Sequence, residues 1–281
     1  MLKILIFGDV VGEVGRNALS YFIYYNRNKY NTDLIIANGE NISGGIGIHP
    51  KNADELFGMG VDVITSGNHI WRHKEIVDYI NKNEKIIRPL NYGENAPGKG
   101  WVLINKNNFN ILIINLLGQV FMDPLFPPTY CFDNLYNNNK EIFEKADCVI
   151  VDFHAEATAE KVAMGYYLKE RVNLIFGSHT HIQTADEVLL DDKTAYITDV
   201  GMTGPSNSII GMQVDIILEK FKTFIPKSYK VASGDAQING LYFIFDNSNK
   251  KIIKFERIFE RIGKGEIKNF IENQKGSIDK E

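Results

Sequence analysis

Cysteine is nearly absent from this chain: Cys131 and Cys148 are the two among 281 residues. They form neither a disulfide framework nor a zinc-ribbon pattern, and Cys148, inside CVIVDF, reads as a buried strand residue. A long hydrophobic run is also missing. No stretch of about 18 apolar residues occurs, which argues against a membrane-spanning helix, and the opening MLKILIFGDV lacks the extended apolar core of a signal peptide. The expectation is a soluble, cytoplasmic protein with no membrane partner. Positive charge is not in excess either. Lys and Arg number 31 against 35 Asp and Glu, a net charge of −4, so there is no sign of a basic nucleic-acid surface. An anionic substrate would need local positive charge, which metal ions can supply. Repeats, low-complexity tracts and convincing linkers are lacking, so residues 1–281 read as one domain. From about Gly263 the chain is rich in Lys, Glu, Asn and Gln with few apolar anchors, and it is expected to fray.

What the chain does have is an ordinary globular composition, 44% apolar and 23% charged. Short apolar runs recur at Ile4–Phe7, Leu34–Ala37, Val61–Thr65, Ile111–Leu116, Val149–Phe153, Leu174–Phe176 and Ala195–Thr198. Between several of them lie segments of helical period, with Leu19, Phe22 and Ile23 before Tyr30, and Ile76, Tyr79 and Ile80 after Trp71. Leu135, Ile142 and Phe143 fit that period less regularly. Strand–helix alternation predicts an α/β fold with largely parallel strands. Two hairpins add antiparallel pairing, one turning at Asn107-Asn108 within 99–117, the other around Asp246–Asn249.

Several apolar runs end in groups that bind metals. Asp9 follows the first; Glu40 and Asn41 follow the second. Asn68 and His69 follow the third, His154 follows the Val149 run, and His179 and His181 follow Leu174–Phe176. In open α/β sheets, ligands bind beyond the carboxyl ends of the strands. Each residue also has a plainer explanation. Asp9 could cap a helix, Asn41 and Asn68 could serve turns, and His69 could be a core residue. His154 could pair with Glu156, and His179 and His181 could be a surface loop pair. Singly these explanations are respectable; five clusters at the same end of their strands are harder to dismiss. Four of the six histidines fall in these clusters, and His49 and His73 are read as surface residues.

The motifs GDVVG (Gly8–Gly12), NGEN (Asn38–Asn41), GNHIW (Gly67–Trp71), HAEAT (His154–Thr158) and GSHTH (Gly177–His181) occur in that order. Together they resemble the calcineurin-like metallophosphoesterases, most closely the bacterial YmdB-like branch, to which TDVGMTGP (Thr198–Pro205) is also similar. The resemblance implies a layered α/β/β/α sandwich with mixed sheets. It further implies two metal ions, one held by Asp9, Glu40, Asn41 and His181. The other would be held by Glu40, Asn68, His154 and His179, with Glu40 bridging. Most of the wider family opens with D-x-H, where the histidine is a ligand; here that position is Val11. The usual bridging aspartate is replaced by Glu40, followed by Asn41, as in the YmdB-like branch. The oxygen and nitrogen donor set suits iron or manganese, with zinc an alternative.

Such a pair of ions clamps a phosphoryl group and yields a metal-activated hydroxide at neutral pH. His69 is the candidate acid for the leaving alkoxide; Ile70 stands where many relatives place the acid that orients this histidine. The resemblance implies phosphodiester hydrolysis, with 2′,3′-cyclic nucleotides as substrates and a 3′-phosphate product. A metal-dependent RNA nuclease, a phosphomonoesterase and a regulatory nucleotide-binding protein remain the alternatives. A homo-oligomer is a further expectation from the resemblance, though the residues carry no interface signal. Trp71, Tyr92, Phe121 and Tyr130 are candidates for an aromatic wall against a base, although aromatic residues more often pack in cores. The apolar loop Gly118–Pro128 could line or cover the site, or simply dock on the domain. SGGIG (Ser43–Gly47) could bring backbone N–H groups to a phosphate or be a tight surface loop.

Overall fold

The computed structural model describes residues 1–278, with side-chain surroundings described to residue 274. The first half runs β1 (Leu2–Phe7), β2 (Asp9–Val10), α1 (Gly12–Tyr30), β3 (Leu34–Asn38), α2 (Pro50–Gly58), β4 (Val63–Thr65) and α3 (Ile76–Ile80). The hairpin β5 (Trp101–Lys106) and β6 (Phe109–Leu117) leads to α4 (Pro128–Asn138), α5 (Lys140–Lys145) and β7 (Cys148–His154). Then come α6 (Thr158–Leu168), β8 (Leu174–Ser178), β9 (Val188–Leu189), β10 (Ala195–Ile197), β11 (Met202–Pro205) and α7 (Val214–Thr223). A long hairpin, β12 (Ala236–Asp246) and β13 (Lys251–Ile262), precedes α8 (Lys264–Ile278).

Two mixed sheets form. One is ordered β2-β11-β12-β1-β3-β4, with β13 paired to β12; the other is ordered β5-β6-β7-β8-β10-β9. Strands β1, β3 and β4 run parallel in the first, and β6, β7, β8 and β10 run parallel in the second. Side chains alternate across each strand. Leu2, Ile4 and Ile6 of β1 therefore meet Ile111 and Ile113 of β6 between the sheets. Leu5 and Phe7 face the other way, into a core shared with Leu19, Phe22 and Ile23 of α1. On the far side, Leu112, Ile114 and Leu116 pack with Phe132 of α4 and Met164 and Leu168 of α6. Three apolar cores between four layers make the expected α/β/β/α sandwich.

The β5–β6 turn is the one the sequence indicates: Asn107 and Asn108 both have positive φ, 50° and 65°, which suits the twist of a two-residue hairpin. Helices α2, α6 and α7 lie outside the sequence expectation. Pro50 opens α2, with His49 Nδ1 accepting from the Lys51 amide at 3.2 Å. The expected fraying from Gly263 is corrected by α8. Ile267 and Phe270 are buried, and the Phe270 ring centroid lies 5.6, 5.3 and 5.9 Å from those of Tyr21, Tyr24 and Tyr25 on α1. Two apolar anchors one helical turn apart are enough to dock this segment. Residues 279–281 lie outside the described residues. No helix among the described residues is long and apolar enough to cross a membrane.

Candidate metal centre

The two sheets present the carboxyl ends of their parallel strands to one edge, and the polar groups singled out in the sequence meet there. Asp9 stands two residues past β1; Glu40 and Asn41 follow β3, and Asn68 and His69 follow β4. His154 is the last residue of β7, and His179 and His181 follow β8. Helix α1 starts at Gly12 without a side-chain cap, so Asp9 is not spent there. Its Oδ2 accepts instead from the His179 amide at 3.0 Å.

His154 is the centre of one half of the cluster. Its Nε2 lies 3.2 Å from Glu40 Oε1, 3.2 Å from Asn68 Oδ1 and 3.0 Å from His179 Nδ1. Ligand atoms of Glu40, His154 and His179 all fall within 4.8 Å of one another. The other ring nitrogen fixes the tautomer. His154 Nδ1 is 2.9 Å from Ser178 Oγ, and that hydroxyl donates to Asp152 Oδ1 at 2.6 Å. Since the hydroxyl proton goes to the carboxylate, Ser178 Oγ accepts from His154 Nδ1–H. With Nδ1 so engaged, Nε2 faces two oxygen acceptors and a second imidazole.

In the second half, Asn41 Nδ2 lies 3.1 Å from His181 Nε2, 3.5 Å from Asp9 Oδ1 and 3.3 Å from Glu40 Oε1. His181 Nδ1 donates to the Ile210 carbonyl at 2.9 Å. The Asn41 carbonyl oxygen is 3.1 Å from His69 Nδ1, which is also 3.3 Å from Glu40 Oε1. The partner that orients His69, missing from the position after it in sequence, thus comes from the β3 end. Both neighbours accept, so the Nδ1 of His69 carries a proton.

Charge is concentrated and shielded here. Burial pushes the Asp9 carboxyl up, and the charges of His181 and His154 offset this in part. Burial acts the same way on Glu40, but the charge and hydrogen bonds of His154 and those of His69 outweigh it, and the carboxyl falls well below its usual range. His154 is disfavoured as a cation by burial, yet Glu40, Asp9 and Asp152 raise it to about 9. His179 is pulled down to about 3 by burial and by the charge of His154. Asp152 is raised to about 6 by burial, so it is ionised at neutral pH. The carboxylates thus favour a positive charge at the centre of the cluster, which a bound cation would supply.

Residues the sequence reading did not assign hold the cluster from beneath. Asp152 and His154 are two apart on β7 and share a face. The Asp152 carboxylate also accepts from Thr65 Oγ1 and, at 3.1 Å, from Asn38 Nδ2. Asp199, just past β10, accepts from Thr180 Oγ1 at 2.6 Å and from the Thr180 and Gly201 amides. Its partner is Lys161 of α6, whose Nζ lies 2.6 Å away, with both groups buried. D-x-H on a strand, and an aspartate ending the Ala195 run, were the available signals. His179 and His181 flank Thr180 with φ of 97° and 66°, a conformation that side chains other than glycine rarely adopt. The Asp199 contacts to Thr180 hold that strained turn. Gly67 lies so close beneath the cluster that an added Cβ would run into the Glu40 carboxylate and the His154 ring.

His49 and His73 stand outside the cluster, but they are half-buried, their rings edge to face at 5.8 Å. The aromatic wall is not the expected one. Tyr92 and Tyr130 line a separate cleft of about 750 Å³ beside Arg88, while Trp71 packs edge-on against Tyr92. Phe121 is exposed outside the site cleft. The Gly118–Pro128 loop docks by that other cleft through Asn91 Nδ2, which donates to the Phe126 carbonyl at 3.0 Å. Over the cluster, the apolar wall comes from Ile210, Phe221, Phe224 and Tyr229. Position in the chain hid this wall, because α7 lies far in sequence from the motifs it covers.

Known proteins are similar to this chain in sequence and fold. A 2′,3′-cyclic-nucleotide 2′-phosphodiesterase of Bacillus subtilis (strain 168) is 41% identical over 257 residues, 92% of this chain and 96% of the relative. The crystal structure of a phosphatase from Mycoplasma pneumoniae superposes with a TM-score of 0.87 at 35% identity, covering 93% of this chain and 94% of that one. A structure from Thermus thermophilus, described as a hypothetical protein, gives 0.86 at 36% identity, over 93% of this chain and 100% of that one. The family model of the YmdB-like proteins matches residues 5–258. The chain therefore belongs to the YmdB-like protein family.

Proposed function

We propose that the protein is a dinuclear-metal phosphodiesterase that hydrolyses 2′,3′-cyclic nucleotides to 3′-monophosphates. The observation that carries this reading is the convergence on His154 Nε2. Glu40 Oε1, Asn68 Oδ1 and His179 Nδ1 surround it at 3.0–3.2 Å, and Ser178 already takes the ring's Nδ1 proton. With the His154 proton displaced, these atoms present converging lone pairs that fit a cation, and an oxygen and nitrogen set with a buried carboxylate suits iron or manganese. Glu40, Asn68, His154 and His179 are the residues that would hold one ion; Asp9, Glu40, Asn41 and His181 would hold the other. The second set requires the Asn41 amide turned so that its oxygen faces Asp9 and His181, a reversal that leaves the side-chain shape unchanged.

When bound, such ions supply charge to the phosphoryl oxygens and acidify the attacking water. The chain's own groups do the rest. Glu40 lies against His69 and takes its Nδ1–H. As the general acid, His69 would deliver the proton to the leaving 2′-oxygen from Nε2. The named activity of the Bacillus relative supports the substrate class.

The direct test is to load purified protein with Mn²⁺ or Fe²⁺ and measure metal content on the same sample. It is then offered 2′,3′- and 3′,5′-cyclic nucleotides, bis-p-nitrophenyl phosphate, p-nitrophenyl phosphate and short RNAs. Preferred turnover of 2′,3′-cyclic nucleotides to 3′-monophosphates, abolished by chelation, is expected. A metal-loaded protein inert toward every ester would leave the regulatory nucleotide-binding alternative. Preference for the monoester or for RNA would reassign the substrate.

A further inference from the structure

The cleft that contains Glu40, His69, His179 and His181 continues for about 550 Å³ under α7, and its far wall is aromatic. That volume is in the range of sites for nucleotide-sized ligands. The wall contradicts local structural preference in two ways. Phe221 is 71% and Phe224 86% exposed, although burial would stabilise both. Phe224 also caps α7 in the left-handed conformation, φ 56° and ψ 10°, where glycine or asparagine is the favoured residue. An exposed phenylalanine at a strained position adds nothing to the fold that a glycine would not provide better. Such departures are expected where a ligand, and not the core, has selected the residue. Tyr229 completes the wall and is held in place by Lys220, whose ammonium lies 4.7 Å over the ring and donates to its hydroxyl.

Resting on the activity proposed above, we propose that Phe221, Phe224 and Tyr229 are the nucleoside platform of this site. The base of a cyclic nucleotide stacks against them while its phosphate reaches the Glu40–His154–His179 cluster at the other end of the same cleft. Lys220 and Tyr229 satisfy each other, so the wall offers a π surface with little to read base edges. The platform therefore accepts purines and pyrimidines alike, and KM should differ by no more than about tenfold among the four bases.

The test uses metal-loaded wild type, Phe221→Ala and Phe224→Gly, with adenosine 2′,3′-cyclic phosphate and base-free methyl ribofuranoside 2′,3′-cyclic phosphate. Loss of one stacked ring should lower kcat/KM for the nucleotide roughly five- to 150-fold, chiefly through KM. The loss should be confined to the substrate that carries a base. Calorimetric affinity for adenosine 3′-monophosphate should fall in parallel. Phe224→Gly should at the same time raise Tm, because glycine adopts the left-handed cap without strain. Equal losses on both substrates, or none on either, would overturn the platform. So would variants that change the oligomeric state in sedimentation but not nucleotide affinity, since a second copy of the chain would then be the occupant. Wild type that turns over neither ester defeats the hydrolase reading alone; the calorimetric comparison still decides the platform.

Discussion

At the scale of single residues, the tautomer of His154 is set by residues outside the proposed ligand sets. Asp152 fixes the Ser178 hydroxyl, and Ser178 fixes the imidazole, so the ring presents Nε2 toward Glu40 and His179. Removing the hydroxyl frees the tautomer while leaving every proposed ligand in place. Ser178→Ala is expected to weaken metal affinity about 10- to 100-fold, read by competition with a calibrated chelator. His69 differs because its Nδ1 is tied to Asn41 and Glu40 while it stands outside the proposed ligand sets. His69→Ala should keep its metal by elemental analysis and lose roughly 10²–10⁴ in rate on diesters with poor leaving groups. On a p-nitrophenyl ester, whose leaving group needs no proton, the loss should be much smaller. Equal losses on both esters would argue for a structural role.

At the scale of elements, the site depends on loops held from below. The β8 loop carries His179 and His181 in positive-φ conformations, and Asp199 steadies it through Thr180. Lys161, on α6, compensates that buried carboxylate from the opposite side. Lys161→Ala leaves the charge unpaired and is expected to cost about 3–5 kcal/mol, measured by urea unfolding. A loss under about 1 kcal/mol would mean that Thr180 and Gly201 suffice. Helices α6 and α7 show how far these roles lie from sequence pattern. One supplies a buried lysine amid apolar neighbours; the other supplies an aromatic wall by leaving Phe221 unburied.

At the scale of the whole molecule, two sheets and three apolar cores hold a cluster of carboxylates and imidazoles against the cost of their burial. A cation that binds the folded chain alone stabilises it by mass action. At a free metal concentration about a hundred times Kd, this is worth about 2.7 kcal/mol. Chelation should accordingly lower Tm on the order of 5–10 °C in differential scanning calorimetry. An unchanged Tm in protein shown to carry metal beforehand would contradict the coupling of the site to the fold.

The sequence alone determined most of the strands (though not β2, β9 and β11), the two hairpins and the side of the strands on which Asp9, Glu40, Asn68, His154 and His179 emerge. Apolar runs of strand length and the residues that end them are local properties, and the parallel arrangement brings like ends together. Other features were decided by tertiary structure, because they are contacts between distant segments. Asn41 orients His69, Asp152 reaches Thr65 and Asn38, and Lys161 meets Asp199 across 38 residues. The docking of α8 belongs with them, since Phe270 counts as an anchor only once Tyr21 and Tyr25 are beside it. So does the wall over the cleft, where Phe221 and Phe224 gain their meaning from lying beside His179 and His181 in space.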